Sequence, residues 1–310
     1  MAGSRILIAG LRGGSGKTIV SLGMIASWRT HGMAVFPFKK GPDFIDAGWL
    51  ALAAGRPCHN LDTFLIPSEK TLASFVSHTQ TEGVAVIEGN RGLYDGLDLE
   101  GTTSTAELAK LLRAPVVLVV DCTKSTRTMA AVISGCIHFD PDVHVAGVIL
   151  NRIAGPRHEA ILKAAVEKYC HVPVLGTISK LRQEIFPERH MGLVPTPEHD
   201  WAKDAIHKAA RTAETFMDLD GLLTVAAQAP DLEMRAQGKI QLTQMAGETV
   251  SLTVSAPESP SIKTVPHSRQ PRIGVVQDAA FQFYYPENVE ALARAGAEVV
   301  LVSALRDRRL

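Results

Sequence analysis

The stretch from Arg5 to Thr18 constrains this chain more than any other. An apolar run, Arg5-Ile6-Leu7-Ile8-Ala9, passes directly into Gly10-Leu11-Arg12-Gly13-Gly14-Ser15-Gly16-Lys17-Thr18, and a helical pattern follows from Lys17 to Thr30. A strand that turns through glycines into a helix N-terminus brings backbone N–H groups and the positive end of the helix dipole to one point, which suits an anion. Gly13, Gly14, Ser15 and Gly16 form the cradle, Lys17 adds a point charge, and Thr18 can ligate magnesium. The spacing departs from the strict phosphate-loop pattern, which places a glycine where this chain has Leu11; Gly10 lies one residue early. A glycine turn that binds nothing is the alternative. The order of strand, loop, Lys-Thr and helix favours phosphate.

Beyond the loop, short β-branched runs alternate with amphipathic stretches. Strands are expected at Arg5–Ala9, Ala34–Phe38, Val84–Ile87, Val116–Val120, Val143–Leu150 and Val172–Ile178. Their near-continuous hydrophobicity marks strands buried on both faces. Helices are expected at Lys17–Thr30, Ser68–Thr79 with Ser68 as N-cap, Thr105–Leu112, Ser125–Ile137, Arg157–Tyr169, Asp200–Phe216 and Leu219–Ala227. This alternation predicts an α/β fold, a mostly parallel sheet with helices on both faces.

The alternation fades near Ala227. From Pro230 to Pro271 the chain is rich in Gln, Ser, Thr and Pro and includes Ser255-Ala256-Pro257-Glu258-Ser259-Pro260-Ser261, which reads as a linker. A βαβ unit then follows: strand Arg272–Val276, helix Pro286–Ala295, strand Glu298–Val302. The expected division is a phosphate-loop domain over 1–229, a linker over 230–270, and the start of a second domain over 271–310. Forty residues cannot bury a core alone, so the last unit is expected either to join the first sheet or to be an unfinished domain. In the second case apolar strand surface stays uncovered at Ile273–Val276 and Val299–Val302.

Composition narrows the partners. Lys+Arg and Asp+Glu both total 32, so no overall field attracts nucleic acid or anionic lipid, and phosphate binding must be local. The run Ala114–Val120 is far short of the roughly 18 residues that span a bilayer. Cys58, Cys122, Cys136 and Cys170 are widely separated, without Cys-x-x-Cys or zinc spacing, so no disulfide framework or structural zinc site is indicated and a reducing cytoplasm fits. Met24, Met129 and Met217 read as core filling, and His138, His144 and His171 as packed or surface histidines.

Two further strand ends carry carboxylates. The second strand ends in Phe38-Lys39-Lys40-Gly41-Pro42-Asp43-Phe44-Ile45-Asp46, the third in Ile87-Glu88-Gly89-Asn90-Arg91-Gly92-Leu93-Tyr94-Asp95-Gly96. In an open parallel sheet these ends line the crevice that the phosphate loop faces, so Asp43, Asp46, Glu88 and Asp95 can converge there with Lys39. Oxygen ligands beside Thr18 suit a hard cation between phosphate oxygens. Each acid alone reads as a loop cap; four at two strand ends point to function.

The same stretches, with Asn60-Leu61-Asp62, Ser104-Thr105-Ala106-Glu107-Leu108-Ala109, Glu188-Arg189-His190-x-Gly192-Leu193-Val194-Pro195 and Asp278-x-Ala280-Phe281-x-Phe283-Tyr284-Tyr285-Pro286, resemble the cobyrinate a,c-diamide synthase family. The phosphate loop itself resembles the dethiobiotin-synthetase-like branch of P-loop proteins. Partition and septum-site ATPases carry a lysine where this chain has Arg12, which weakens a ParA/MinD-like switch as the rival reading. A switch has no need of the Tyr94-Asp95-Gly96 loop or of the second domain, and dethiobiotin synthesis has no need of Glu188–Pro195.

The resemblance implies amidation of two peripheral carboxylates of a corrin-type tetrapyrrole, using ATP and Mg2+, with ammonia from glutamine supplied by a flavodoxin-like amidotransferase domain. It assigns Lys17 to phosphate charge, Thr18 with Asp46 and Glu88 to magnesium, Asp43 and Asp95 to the reacting end, and Lys39 to charge that develops during transfer. Cobyrinate, its metal-free hydrogeno form and nickel sirohydrochlorin all remain open as substrate. Asn151, at the end of the fifth strand, matches the donor and acceptor edge of adenine; a strand-end cap is its alternative. Arg91 is either a contact for substrate carboxylates or a solvated loop cation. After Arg272 the sequence contains no cysteine or histidine to serve as a glutaminase nucleophile and its partner. The expected nitrogen source is therefore free ammonia, or glutamine through a homodimer or partner chain that completes the second domain.

Overall fold

The computed structural model describes residues 3–79, 82–180, 201–232 and 270–307, together with the backbone of three short strands between 234 and 253. The elements run β1 (Ser4–Gly10), α1 (Lys17–Thr30), β2 (Val35–Lys40), α2 (Phe44–Ala54), β3 (His59–Leu61), α3 (Ser68–Ser77), β4 (Val84–Glu88) and α4 (Thr105–Leu111). They continue with β5 (Val116–Asp121), α5 (Arg127–Phe139), β6 (Val145–Ile153), α6 (Pro156–Cys170), β7 (Val174–Ser179), α7 (Ala202–Phe216) and α8 (Leu219–Ala227).

The seven strands form one parallel sheet in the order β3-β2-β4-β1-β5-β6-β7. Successive strand residues point to opposite faces, so each apolar run feeds two cores. Ile6, Ile8, Val84, Val86, Val117 and Val119 join the core beneath α1, α2, α7 and α8. Leu7, Ala9, Ala85, Ile87, Leu118 and Val120 join the core beneath α3 to α6. This is why the strands read as continuously hydrophobic rather than alternating. Each fully buried large side chain, such as Trp49, Phe38 or Leu22, contributes about 1.5–3 kcal/mol. Met24, Met129 and Met217 are core residues, as expected.

The strand order places the phosphate loop centrally. The chain leaves β1 for β2 on one side, skipping the position later filled by β4, and crosses β1 again to reach β5 on the other. The C-terminal ends of β1, β2 and β4 therefore open into one crevice. Arg5 secures the opposite end of β1: its guanidinium donates to Leu112 O at 2.6 Å and also to Pro230 O, tying the chain after α8 to the sheet.

Three local readings change. Ser68 is not the N-cap of α3 but its first residue; Pro67, extended at ψ 143°, is the cap, and no side chain bonds across it. The helix α2 gives no period in the sequence because Ala47 to Ala54 is apolar on every face. It is bounded instead by Asp43, whose side chain accepts from Asp46 N at 3.0 Å, and by left-handed Gly55. The stretch read as linker contains β8 (Met234–Arg235), β9 (Lys239–Thr243) and β10 (Thr249–Thr253), an antiparallel sheet in the order β10-β9-β8. Lys239-Ile240-Gln241-Leu242-Thr243 and Thr249-Val250-Ser251-Leu252-Thr253 alternate polar and apolar, the period a strand requires. Ser255–Ser261 and the Glu188–Pro195 motif lie outside the described residues.

The last unit is β11 (Arg272–Val276), α9 (Pro286–Arg294) and β12 (Glu298–Val302), with β11 and β12 paired in parallel as a separate two-stranded sheet. Asp278 organises its turn, accepting from Ala280 N and Phe281 N through one oxygen and from Ser303 Oγ through the other. Apolar strand surface is left open, with Leu301 58% exposed. No helix among the described residues is long and apolar enough to cross a membrane, and the four cysteines are free thiols.

Candidate active site

The phosphate loop is held from three sides. Ser15 Oγ donates to Arg12 O at 2.9 Å inside the loop. Asn151, at the end of β6, donates from Nδ2 to Ser15 O at 2.9 Å, while its Oδ1 accepts from Arg152 N at 2.8 Å. Gly16 takes φ 96° directly against Asn151, where a side chain would collide with the amide, so only glycine fits both the backbone and the contact. Gly13 and Gly14 are exposed with open space before them.

Lys17 is the first residue of α1 and points across the crevice. Its Nζ donates to Arg91 O at 2.8 Å and to Arg12 O at 3.3 Å. Burial lowers its pKa, with the charge of Glu88 opposing the shift. Arg91 adopts φ 49°, and in that left-handed conformation its carbonyl meets Lys17 while its side chain stays exposed. The contribution of Arg91 to the site is thus a backbone one. Sequence gave no signal for it, because a left-handed arginine has no compositional mark.

Lys39 is the centre of the carboxylate cluster. From the end of β2 its Nζ donates to Glu88 Oε1 on β4 at 2.7 Å and to Asp46 Oδ2 on α2 at 2.8 Å, with Asp43 Oδ2 at 3.9 Å. The pairing of Lys39 with Glu88 follows from the β2–β4 register, in which the two residues are direct neighbours. Burial alone would lower the Lys39 pKa, but the charges of Glu88, Asp46 and Asp43 outweigh it and hold the ammonium well above the ordinary lysine range. Full burial pushes the Glu88 carboxyl up, with Lys39 pulling against it. Burial and the nearby Asp46 charge likewise raise Asp43.

Thr18 Oγ1 donates to Glu88 Oε1 at 3.1 Å, joining the loop to this cluster. Glu88 Oε2 is buried and accepts no hydrogen bond. A buried carboxylate oxygen without a donor is costly unless a ligand or cation completes it. Thr18, Asp46 and Glu88 together offer the hard oxygen donors that suit a magnesium ion. Asp95 is exposed; its Oδ2 accepts from Gly92 N at 2.9 Å, and its charge reaches Lys17. Lys17, Thr18, Lys39, Asp43, Asp46 and Glu88 thus come together in one crevice, with Asp95 at its rim.

One group escaped sequence reading. Asp121, at the end of β5, holds Arg12 at 3.2 Å and Arg152 at 3.0 Å. Burial opposes it, but the Thr123 hydroxyl and amide and the two guanidiniums hold its pKa below the ordinary range. Arg12, the exposed loop cation, is thereby drawn toward the β5–β6 side and away from the carboxylates. The available signal was positional: Asp121 sits at a strand end on the same edge as Glu88 and Asn151.

Comparison with known proteins places the chain among nucleotide-binding domains. The family model of the CobQ/CobB/MinD/ParA nucleotide binding domain matches residues 6–193. A cobyrinate a,c-diamide synthase of Magnetococcus marinus is 42% identical over 306 residues, 99% of this chain and 62% of that protein. A hydrogenobyrinate a,c-diamide synthase of Streptomyces coelicolor is 40% identical over 317 residues, 99% of this chain and 65% of that protein. A cobyrinate a,c-diamide synthase of Dehalococcoides mccartyi is 36% identical over 304 residues, 98% of this chain and 61% of that protein. The chain therefore spans less than two thirds of the length of these relatives.

Proposed function

Because the chain belongs to the CobQ/CobB/MinD/ParA nucleotide binding domain family, we propose that it is the ATP-using synthetase part of an amidoligase. Its substrate in this reading is the a and c acetate side chains of cobyrinate or a related tetrapyrrole. The names of relatives aligned along nearly the whole chain support the substrate class. The observation that carries the chemistry is the gathering of Glu88, Asp46 and Asp43 on Lys39 beside Thr18 and Lys17.

A carboxylate is resonance-stabilised and carries negative charge, so ammonia does not attack it. Transfer of the γ-phosphoryl of ATP to a carboxylate oxygen gives an acyl phosphate. Ammonia then attacks the carbonyl carbon, phosphate leaves, and an amide remains. Lys17 and the loop amides bind the phosphates, and Lys39 meets charge that builds on the transferred group. Thr18, Asp46 and Glu88 would hold Mg2+, whose chemistry is to neutralise charge on the phosphate oxygens. Asp43 and Asp95 orient the reacting end. Ammonia comes from solution or from glutamine hydrolysed elsewhere in the assembly, and the setting is the cytoplasm.

The test is ADP release by the chain with ATP, Mg2+ and ammonium in the presence of cobyrinate, hydrogenobyrinate or nickel sirohydrochlorin in turn. One of them is expected to stimulate ADP release and to appear as its mono- and diamide by mass spectrometry. Hydrolysis indifferent to every tetrapyrrole sinks the proposal.

A further inference from the structure

The β11–α9–β12 unit meets the rest of the chain over the loop between β2 and α2 and over β3. Phe283 packs on Phe44 with ring centroids 5.0 Å apart. Tyr285 Oη donates to Pro42 O at 2.9 Å, and Glu287 Oε1 accepts from Asn60 N at 3.1 Å. One turn further along α9, Glu290 Oε1 lies 2.9 Å from His59 Nε2 and its Oε2 lies 3.0 Å from His78 Nε2. No residue of α9 is buried, so the unit is attached by these few side chains rather than by a shared core.

Asn60 carries the Glu287 contact back to the same loop. Its Nδ2 donates to Gly41 O at 2.7 Å and to Asp43 O at 3.1 Å, while Gly41 N donates to Leu61 O at 2.8 Å. The consecutive carbonyls of Gly41, Pro42 and Asp43 are therefore all engaged, the outer two by Asn60 and the middle one by Tyr285. Each of these holds leads to the second unit, directly through Tyr285 or through Asn60 and Glu287.

What this loop carries is Asp43. Its Oδ1 accepts from Asp46 N at 3.0 Å and caps α2, while its Oδ2 lies 3.9 Å from Lys39 Nζ. The aspartate side chain is short, so its carboxylate goes where its own backbone goes. A group at a reacting centre has to be held to within about 0.5 Å, and a misplacement of about 1 Å can cost on the order of a hundredfold in rate. A few hydrogen bonds of modest net strength are enough to set such a position.

We infer that Tyr285 and Glu287 are positioning residues for Asp43, so that the crevice between the strand ends is complete only with the β11–α9–β12 unit docked on it. The inference rests on the proposed role of Asp43 at the reacting end. Both residues act through the loop of residues 41–43, Tyr285 on Pro42 and Glu287 by way of Asn60. Their loss is therefore expected to move turnover and not the binding of nucleotide.

Hydrogen exchange of the full chain tests this at the Asp46 amide, whose proton the Asp43 carboxylate holds. Tyr285→Phe removes one hydroxyl and Glu287→Ala the acceptor for Asn60; each is expected to speed exchange at Asp46 roughly two- to tenfold while the amides of β5 keep their protection. Glu287→Gln retains an acceptor oxygen and is expected to stay near wild type. So is Tyr284→Phe, whose hydroxyl has no hydrogen-bond partner among the described residues. In tetrapyrrole-stimulated ADP release, Tyr285→Phe is expected to lower kcat at least twofold, with unchanged affinity for a non-hydrolysable ATP analogue by calorimetry. Unchanged exchange at Asp46 in both Tyr285→Phe and Glu287→Ala, an equal effect from Tyr284→Phe, or faster exchange with an unaltered kcat overturns the inference. The exchange measurement needs no substrate: a shift at Asp46 in a chain that amidates no tetrapyrrole supports the hold on Asp43 and sinks the amidoligase reading instead.

Discussion

Lys39 Nζ lies 2.7 Å from Glu88 Oε1, with the lysine side chain 2% and the glutamate 0% exposed. The ammonium is the counter-charge for the buried Glu88 and the partly buried Asp46 and Asp43 at once, so the crevice is organised around one cation shared among three carboxylates.

Removing that cation is expected to be severe. Lys39→Met leaves Glu88 buried without its partner and should destabilise the fold by about 3–5 kcal/mol in urea unfolding. Lys39→Met with Glu88→Gln should lose less than the sum, because the orphaned charge is gone. The Lys39 pKa is raised in the folded chain. Its stabilisation is therefore fully present below the unfolded lysine value of about 10.4 and is lost as pH rises through the higher folded value. Lys39→Met should lack that alkaline loss; equal alkaline unfolding in both proteins would argue against the linkage.

Lys17→Ala removes the loop cation but only two contacts to backbone carbonyls, those of Arg91 and Arg12. Nucleotide affinity, measured by calorimetry with a non-hydrolysable ATP analogue, should fall by roughly 3 kcal/mol or about a hundredfold. Stability should change by about 1 kcal/mol at most. Retained affinity would remove Lys17 from the phosphate site.

On the proposed function, Glu88→Gln and Asp46→Asn should damage turnover more than nucleotide affinity, since oxygens that would hold Mg2+ matter most as charge migrates during transfer. Steady-state kinetics at limiting and saturating magnesium are the measurement. Normal turnover in both variants at limiting magnesium would leave these residues as structural partners of Lys39.

Asn151→Ala has two separable effects. Loss of the Nδ2 contact to Ser15 O loosens the loop and should weaken all nucleoside triphosphates alike, by about 1 kcal/mol. Loss of base reading should narrow the preference for ATP over GTP. A common weakening with an unchanged ratio would assign Asn151 to the loop alone.

Gly23 brings α1 against α7: a Cβ there would lie 2.6 Å from Ala209 O and 2.9 Å from Ala213 Cβ. Gly23→Ala should therefore destabilise by about 1–3 kcal/mol despite alanine's better helix propensity. A stabilised variant in thermal unfolding would show that the two helices can separate.

The sequence by itself determined what local chemistry encodes. The limits of α1, Lys17–Thr30, and of α8, Leu219–Ala227, were legible from periodicity and breakers, and the sheet strands from apolar runs with their ends uncertain by a few residues. The strand-loop-helix order made the glycine turn between β1 and α1 readable, and the parallel sheet made it readable that Lys39, Asp46 and Glu88 share an edge. Tertiary structure alone decided who pairs with whom. The β2–β4 register sets Lys39 beside Glu88, 49 positions apart in the chain. The left-handed backbone of Arg91 aims a carbonyl at Lys17, and Asn151 reaches across the sheet to Ser15. Helix α2 was invisible because both its faces are apolar, and the partnership of His59, His78 and Glu290 because no spacing in sequence foretells it. The physical reason is common to all of them. Periodicity records which face of an element is buried, whereas hydrogen bonds and ion pairs depend on distances of a few tenths of an ångström that only the packed sheet fixes.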